Sequence, residues 1–206
     1  MGALVARSVR RSVFAFIEKN EDFAHQVIRD ESRVDQLEIQ IDDLATSLIV
    51  RDQPVASDMR LVVVAIKIST DLERMGDLAV QIAERSISLM NQPPLPEKVD
   101  YSVLTSTVES MVLGSLDAFS KRDADLARDV VVEDDSVDRM RNAIYVQVID
   151  LMQREPSCIP RAQDHLGIAR SLERIADHAT NVAEDVIFLA KGIDVRHRQL
   201  ENAPAA

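Results

Sequence analysis

Apolar residues recur at a helical period along almost the whole of this chain. Val5, Val9, Val13, Phe16 and Ile17 fall on one side of a first helix, and the pattern stops near Lys19-Asn20. Val27, Val34, Leu37, Ile41, Leu44 and Leu48 line a second, which ends before Gln53-Pro54 because proline disfavours helix in the residue preceding it. Ser57-Asp58 offers a cap for a third helix from about Met59 to Met90. Asn91-Gln92-Pro93-Pro94-Leu95-Pro96 is the strongest punctuation in the chain. Beyond it the spacing predicts helices over about Tyr101–Ser120, Asp123–Arg154 and Gln163–Lys191, the last two parted by Glu155-Pro156-Ser157-Cys158-Ile159-Pro160. Gly192 stands where a C-terminal cap belongs, and the tail Asn202–Ala206 is expected to fray.

The second half repeats the first. Leu72-Glu73-Arg74-Met75-Gly76-Asp77-Leu78-Ala79-Val80-Gln81-Ile82-Ala83-Glu84 returns as Leu172-Glu173-Arg174-Ile175-Ala176-Asp177-His178-Ala179-Thr180-Asn181-Val182-Ala183-Glu184. Ser12-Val13-Phe14-Ala15-Phe16 aligns with Ser115-Leu116-Asp117-Ala118-Phe119, and Asp22-Phe23-Ala24 with Asp125-Leu126-Ala127. The period is far longer than the roughly 20–50 residues of a solenoid unit. The expected fold is therefore all-α, with two tandem, pseudo-symmetric three-helix bundles over residues 1–92 and 97–206 and a proline-rich linker at 91–96.

Composition supports helices: aromatics are 3% of the residues and glycines number 5, too few for most sandwiches and barrels. A net charge of −11 argues against nucleic acid as a partner, since that binding rests on Lys and Arg neutralising phosphates. The same charge argues against direct capture of free phosphate or nucleotides unless bound cations reverse the local field. The single cysteine, Cys158, excludes an internal disulfide. No stretch approaches the ~20 apolar residues of a membrane span. Arg7, Arg10 and Arg11 interrupt any signal-peptide core, so a soluble, cytoplasmic protein without direct membrane insertion is expected.

Two helices of each half carry a carboxylate, three residues, then aspartate: Glu31/Asp35 and Glu73/Asp77, then Asp134/Asp138 and Glu173/Asp177. Like charges at i and i+4 cost a few tenths of a kcal/mol, yet the costly choice is made four times at matching places. Glu38 and Asp42 extend one stripe, and Gln81 and Glu84, with Asn181 and Glu184, extend those of the third helices. The seam Ile168-Leu172-Ile175-Ala179-Val182-Val186 faces one way, so the carboxylates at 173, 177 and 184 point to the surface or into an inter-helix groove. If second and third helices align their stripes, several carboxylate oxygens converge. Such all-oxygen donors suit hard cations such as magnesium, manganese, calcium or ferric iron. An acidic stripe on one helix is more often a solvated face; repetition is what favours metal. Glu84, Asn181 and Glu184 are possible additional ligands.

The remaining polar residues carry less. Arg74 and Arg174 follow the motif glutamates identically, and a local salt bridge or a stem packed on the bundle outweighs a phosphate contact. His178 flanks the apolar seam, which favours a packed or hydrogen-bonded histidine over a ligand. Asp22/His25 and Asp194/His197 have ligand-like spacing without a partner pattern. Cys158 sits in a loop with no positioned histidine, and no glycine-rich phosphate loop, nucleophile elbow or zinc motif occurs.

These residues resemble the PhoU family of regulatory proteins of the bacterial phosphate-specific transport system. The resemblance rests on Arg51-Asp52-Gln53-Pro54-Val55-Ala56-Ser57-Asp58-Met59-Arg60-Leu61, on Thr70-Asp71 leading into the first motif, and on Ile168-Ala169-Arg170-Ser171 leading into the second. It implies two three-helix bundles, frequent self-association (a homodimer is expected), and the acidic pairs as surface metal clusters holding iron, zinc or other ions. The implied role is not catalysis. It is negative regulation of the phosphate-starvation response and restraint of phosphate uptake, as an adaptor between the ATPase subunit of the phosphate importer and a sensor histidine kinase. Two departures stand out. Met1-Gly2-Ala3-Leu4 opens in what resembles the middle of the family's first helix, and Ala176 stands where the family more often has glycine.

Two other readings compete. A carboxylate-bridged dimetal oxidase wants Glu-x-x-His pairs pointing into a four-helix core. This chain has only four histidines, none placed three residues after a stripe glutamate. A metal-independent helical adaptor would leave the acidic stripes solvated.

Overall fold

The computed structural model describes residues 1–193 and Val195. Six α-helices account for nearly all of them: α1 (Gly2–Glu18), α2 (Glu21–Asp52), α3 (Ser57–Met90), α4 (Ser102–Lys121), α5 (Ala124–Arg154) and α6 (Ile159–Lys191), with a single 3₁₀ turn at Pro156–Cys158. No strand occurs among the described residues. The Asp194/His197 spacing and the tail Asn202–Ala206 lie outside them.

The repeat extends to the turns. Lys19 and Arg122 each end a helix in the left-handed conformation, both at φ 53. The next residue in each case caps the following helix: Asn20 accepts from the Phe23 amide, and Asp123 from those of Asp125 and Leu126. The caps satisfy amides that a helix start leaves without intrahelical partners.

Two boundaries differ from expectation. Helix α6 begins at Ile159, because Pro160 in the first turn forfeits only an amide that would have had no helical partner there. Ser57 does not cap α3; it is the first helical residue, and the N-cap position falls to Ala56 without any side-chain bond.

Helices α1–α3 pack on one another, as do α4–α6, and the two sets meet chiefly along α3 against α6, with a lesser contact of α1 on α4. The buried apolar residues form one cluster that runs through both halves. Met75, Ile82, Ile168, Leu172 and Ile175 are among its largest fully buried side chains, each stabilising the fold by about 1.5–3 kcal/mol through area removed from water. Between these, Ala79, Ala83, Ala176, Ala179 and Ala183 are wholly buried and thin enough for close helix approach.

Polar links fix the register of the α3–α6 seam. Lys67 pairs with the buried Asp185, His178 Nδ1 lies 2.8 Å from Asp71 Oδ1, and Ser88 donates to Asp164 at 2.8 Å. The numbers rise on one helix as they fall on the other, so α3 and α6 are antiparallel. At one end of the seam Phe16 meets the edge of Tyr101 at 4.8 Å, and the Tyr101 hydroxyl donates to the His165 carbonyl at 3.1 Å.

Candidate metal centre

The core-facing seam of α6 turns Glu173 and Asp177 away from the interior, into the groove beside α5; α3 does the same for Glu73 and Asp77 beside α2. All six seam residues from Ile168 to Val186 are fully buried, whereas Glu173 is partly buried and Asp177 exposed. The stripes of second and third helices consequently face each other in each half.

In the first groove one carboxylate oxygen from each of Asp35, Glu73 and Asp77 lies within 4.8 Å of the others. Glu31 is held above the ordinary carboxylate range by burial first, then by Asp35, Asp77 and Glu84. Glu73 is raised by burial and then by Asp77, with Glu38 and Asp35 adding to it and Arg74 opposing. These mutual effects place Glu31, Glu38 and Glu84 around the triad. Arg74, half exposed, approaches Glu73 at 3.4 Å and Asp77 at 3.6 Å from the solvent side. Converging oxygens of this kind, in a partly desolvated groove, fit a cation of the hard or borderline class.

The second groove is assembled from the matching residues but differs in chemistry. Although Asp177 keeps part of its surface in water, partial desolvation in the groove first, then Glu173, Asp134 and Asp138, push it up to about 6. Asp134 is also raised, mainly by burial, although the Thr180 hydroxyl donates to it at 3.3 Å and opposes the shift. A guanidinium stands in this groove: Arg141 Nη2 lies 3.0 Å from Glu173 and 3.5 Å from Asp138, with its plane against Tyr145. By the alignment of the halves, Arg141 takes the place of Glu38, and Thr180 that of Val80. The second set of donors thus carries its own cation and fits a metal less well than the first.

The flanking residues divide. Glu84 belongs to the first groove by its effect on Glu31. Asn181 is engaged by α3 instead, its amide donating to Asp71 at 3.3 Å, and Glu184 is partly buried one turn beyond Asn181. Gln81 lines a recess between α3, α5 and α6 rather than the acidic groove. His178 is hydrogen-bonded, as its position on the seam implied, and His25 approaches Glu21 at 3.4 Å rather than Asp22. Cys158 is buried and free.

Arg74 and Arg174, indistinguishable in local sequence, part company. Arg74 makes the local ion pairs, whereas Arg174 lines the same recess as Gln81, together with Arg85 and Arg170. Nothing in the motif separates them.

Comparison with known proteins matches this architecture. The family model described as PhoU domain matches residues 1–86 and again 102–186. The phosphate-specific transport system accessory protein PhoU homolog of Pseudomonas aeruginosa is 40% identical, over 96% of this chain and 82% of its own length. The accessory protein PhoU of Escherichia coli (strain K12) is 34% identical over the same shares. The crystal structure of PhoU from Pseudomonas aeruginosa superposes with a TM-score of 0.90 at 38% identity, covering 93% of this chain and 92% of that one. The phosphate transport system regulatory protein PhoU from Streptococcus pneumoniae gives 0.85 at 26% identity, covering 94% and 91%.

Proposed function

The chain belongs to the PhoU family, and on that premise we propose that it is a non-catalytic, cytoplasmic regulator of phosphate uptake and of the phosphate-starvation response. It docks, as a helical adaptor and as a homo-oligomer, on the ATPase subunit of a phosphate importer and on a sensor histidine kinase. The observation that carries the metal part of this reading is the convergence of Asp35, Glu73 and Asp77. No helix among the described residues is long and apolar enough to cross a membrane, which suits a partner that approaches the importer from its aqueous side.

Asp35, Glu73 and Asp77, with Glu31 and Glu84 beside them, would hold the cation (iron, zinc, manganese or magnesium). A bound cation supplies positive charge where carboxylates outnumber the guanidinium beside them, so it sets the sign of the docking face. Without it, the groove repels acidic partners; with it, the groove accepts them. Asp134, Asp138, Glu173 and Asp177 form the second site of this proposal, and Arg141 must withdraw from Glu173 before a cation enters.

The test is elemental analysis of protein purified without an affinity tag, before and after chelation, alongside titration against the importer ATPase subunit. Stoichiometric metal is expected in the parent and none in a variant with alanine at Glu73, Asp77, Glu173 and Asp177. Unchanged metal content in that variant would remove the assignment. Full partner affinity in chelated protein would leave a metal-independent adaptor.

A further inference from the structure

We infer that the recess between α3, α5 and α6 is an anion subsite that takes a phosphoryl group, either inorganic phosphate or the phosphates of a nucleotide. The recess has a volume of about 440 Å³ and is lined by Arg85, Arg170 and Arg174, with Gln81, Gln163 and Ser171 as neutral donors and no aspartate or glutamate. In a chain with 35 acidic and 24 basic side chains, three guanidinium groups lining one recess, with Asp164 the one carboxylate among the described residues paired to any of them, run against composition.

Among the described residues they are under-paired. Arg170 and Arg174 are both exposed and make no ion pair or hydrogen bond among the described residues. Arg85 reaches Asp164 only at 3.6 Å through one terminal nitrogen, and its Nε is buried with no partner. A buried N–H of a charged group left without an acceptor is a standing cost to the fold, removed when an acceptor arrives.

The backbone is adapted to hold Arg85 in place. Gly167 lies in the interior of α6, where glycine weakens a helix. A Cβ at this position would come within 2.6 Å of the Arg85 guanidinium carbon. Glycine therefore lets the Arg85 side chain lie against α6, in the recess that Arg170 and Arg174 also line.

The pseudo-symmetric position shows what is absent. There Asp185 replaces Arg85, Lys67 replaces Gly167 and Thr70 replaces Arg170, and Lys67 pairs with Asp185 within the chain. On this side a third guanidinium stands where the carboxylate would be, and among the described residues only the long Arg85–Asp164 pair offsets the three positive charges, which leaves room for an anion from outside. Planar guanidinium forks match the oxygens of a phosphoryl group two at a time, and the glutamine amides and the Ser171 hydroxyl can meet the oxygens that remain. The volume suits a small molecule. The reading does not rest on the metal proposal.

The test is equilibrium dialysis and calorimetric titration with inorganic phosphate and, separately, with ATP, at low salt in a chelator that empties the acidic grooves. Saturable binding of one equivalent is expected, weakened tenfold or more in Arg170→Gln/Arg174→Gln. Gly167→Ala keeps every charge and favours the helix, and displacement of Arg85 should still weaken binding several-fold; it also stands in if the double variant fails to fold. Glu73→Gln/Asp77→Asn should bind as the parent does. Tighter binding of ATP than of phosphate identifies a nucleotide site, and equal affinity a site for the phosphoryl group alone. No saturable binding of either probe at millimolar concentration, or unchanged affinity in both recess variants, would overturn the inference.

Discussion

Replacing Arg141 with glutamine removes the guanidinium that, among the described residues, stands inside the second acidic groove, and leaves four carboxylates facing one another. The Arg141–Glu173 contact is 3.0 Å long, with the two side chains 25% and 17% exposed. At an effective dielectric near 20, opposite charges about 4 Å apart attract by about 4 kcal/mol. The water that Arg141 and Glu173 give up offsets roughly half of that, and Asp138, itself half exposed, adds little. A net loss of about 2 kcal/mol is expected, equivalent to a fall of about 4–8 °C in melting temperature for a chain of this size. The assay is thermal and urea unfolding of parent and variant in chelator, repeated with millimolar manganese. The freed carboxylates should then accept the cation, which restores about 2.7 kcal/mol at a hundredfold excess over its dissociation constant. The variant should gain more than the parent. Equal stability of the two in chelator, or equal gains from manganese, would refute Arg141 as the built-in counter-ion.

Two further outcomes follow from other parts of the fold. Burial lowers His165 to about 4, with Asp164 partly opposing; the neutral ring is the folded form, so its contribution is complete above pH 6.5 and is lost as pH falls through about 4. On the order of 3 kcal/mol is at stake, and His165→Phe should flatten the acid limb of the stability profile measured by urea midpoint; an unchanged limb would count against it. Gly76→Ala places a Cβ at ordinary contact, 3.4 Å from Val34, and Ala176 already fills the matching position. Chemical denaturation should show it neutral or more stable by about 0.5–1 kcal/mol from helix propensity.

The helices were legible because apolar spacing and prolines are local signals, and the repeat supplied most of them twice; the seam of α3 against α6 was not, since no local signal carries it. The acidic stripes were legible for the same reason: the positions i and i+4 lie on one face whatever packs beside them. Asp185 was not, since its burial depends on Lys67, far away in sequence, crossing from α3. Arg141 was not, because an arginine on a stripe of acids acquires its meaning only from the rotation of α5 against α6. The arginine recess escaped for a further reason. Net charge describes the whole surface, and the −11 that argued against an anion ligand is an average over a chain that still gathers three guanidinium groups in one place.

The antiparallel pair α3 and α6 also gives the protein a length. At 34 and 33 residues, each helix is about 50 Å from end to end, and the shared core with its cross-seam pairs makes the two a single stiff beam. A partner gripping one end finds the other at a set distance and angle. For a protein proposed to connect an importer with a kinase, this rigidity acts as a ruler: it limits which pairs of proteins can be held together, whatever the affinity of either contact.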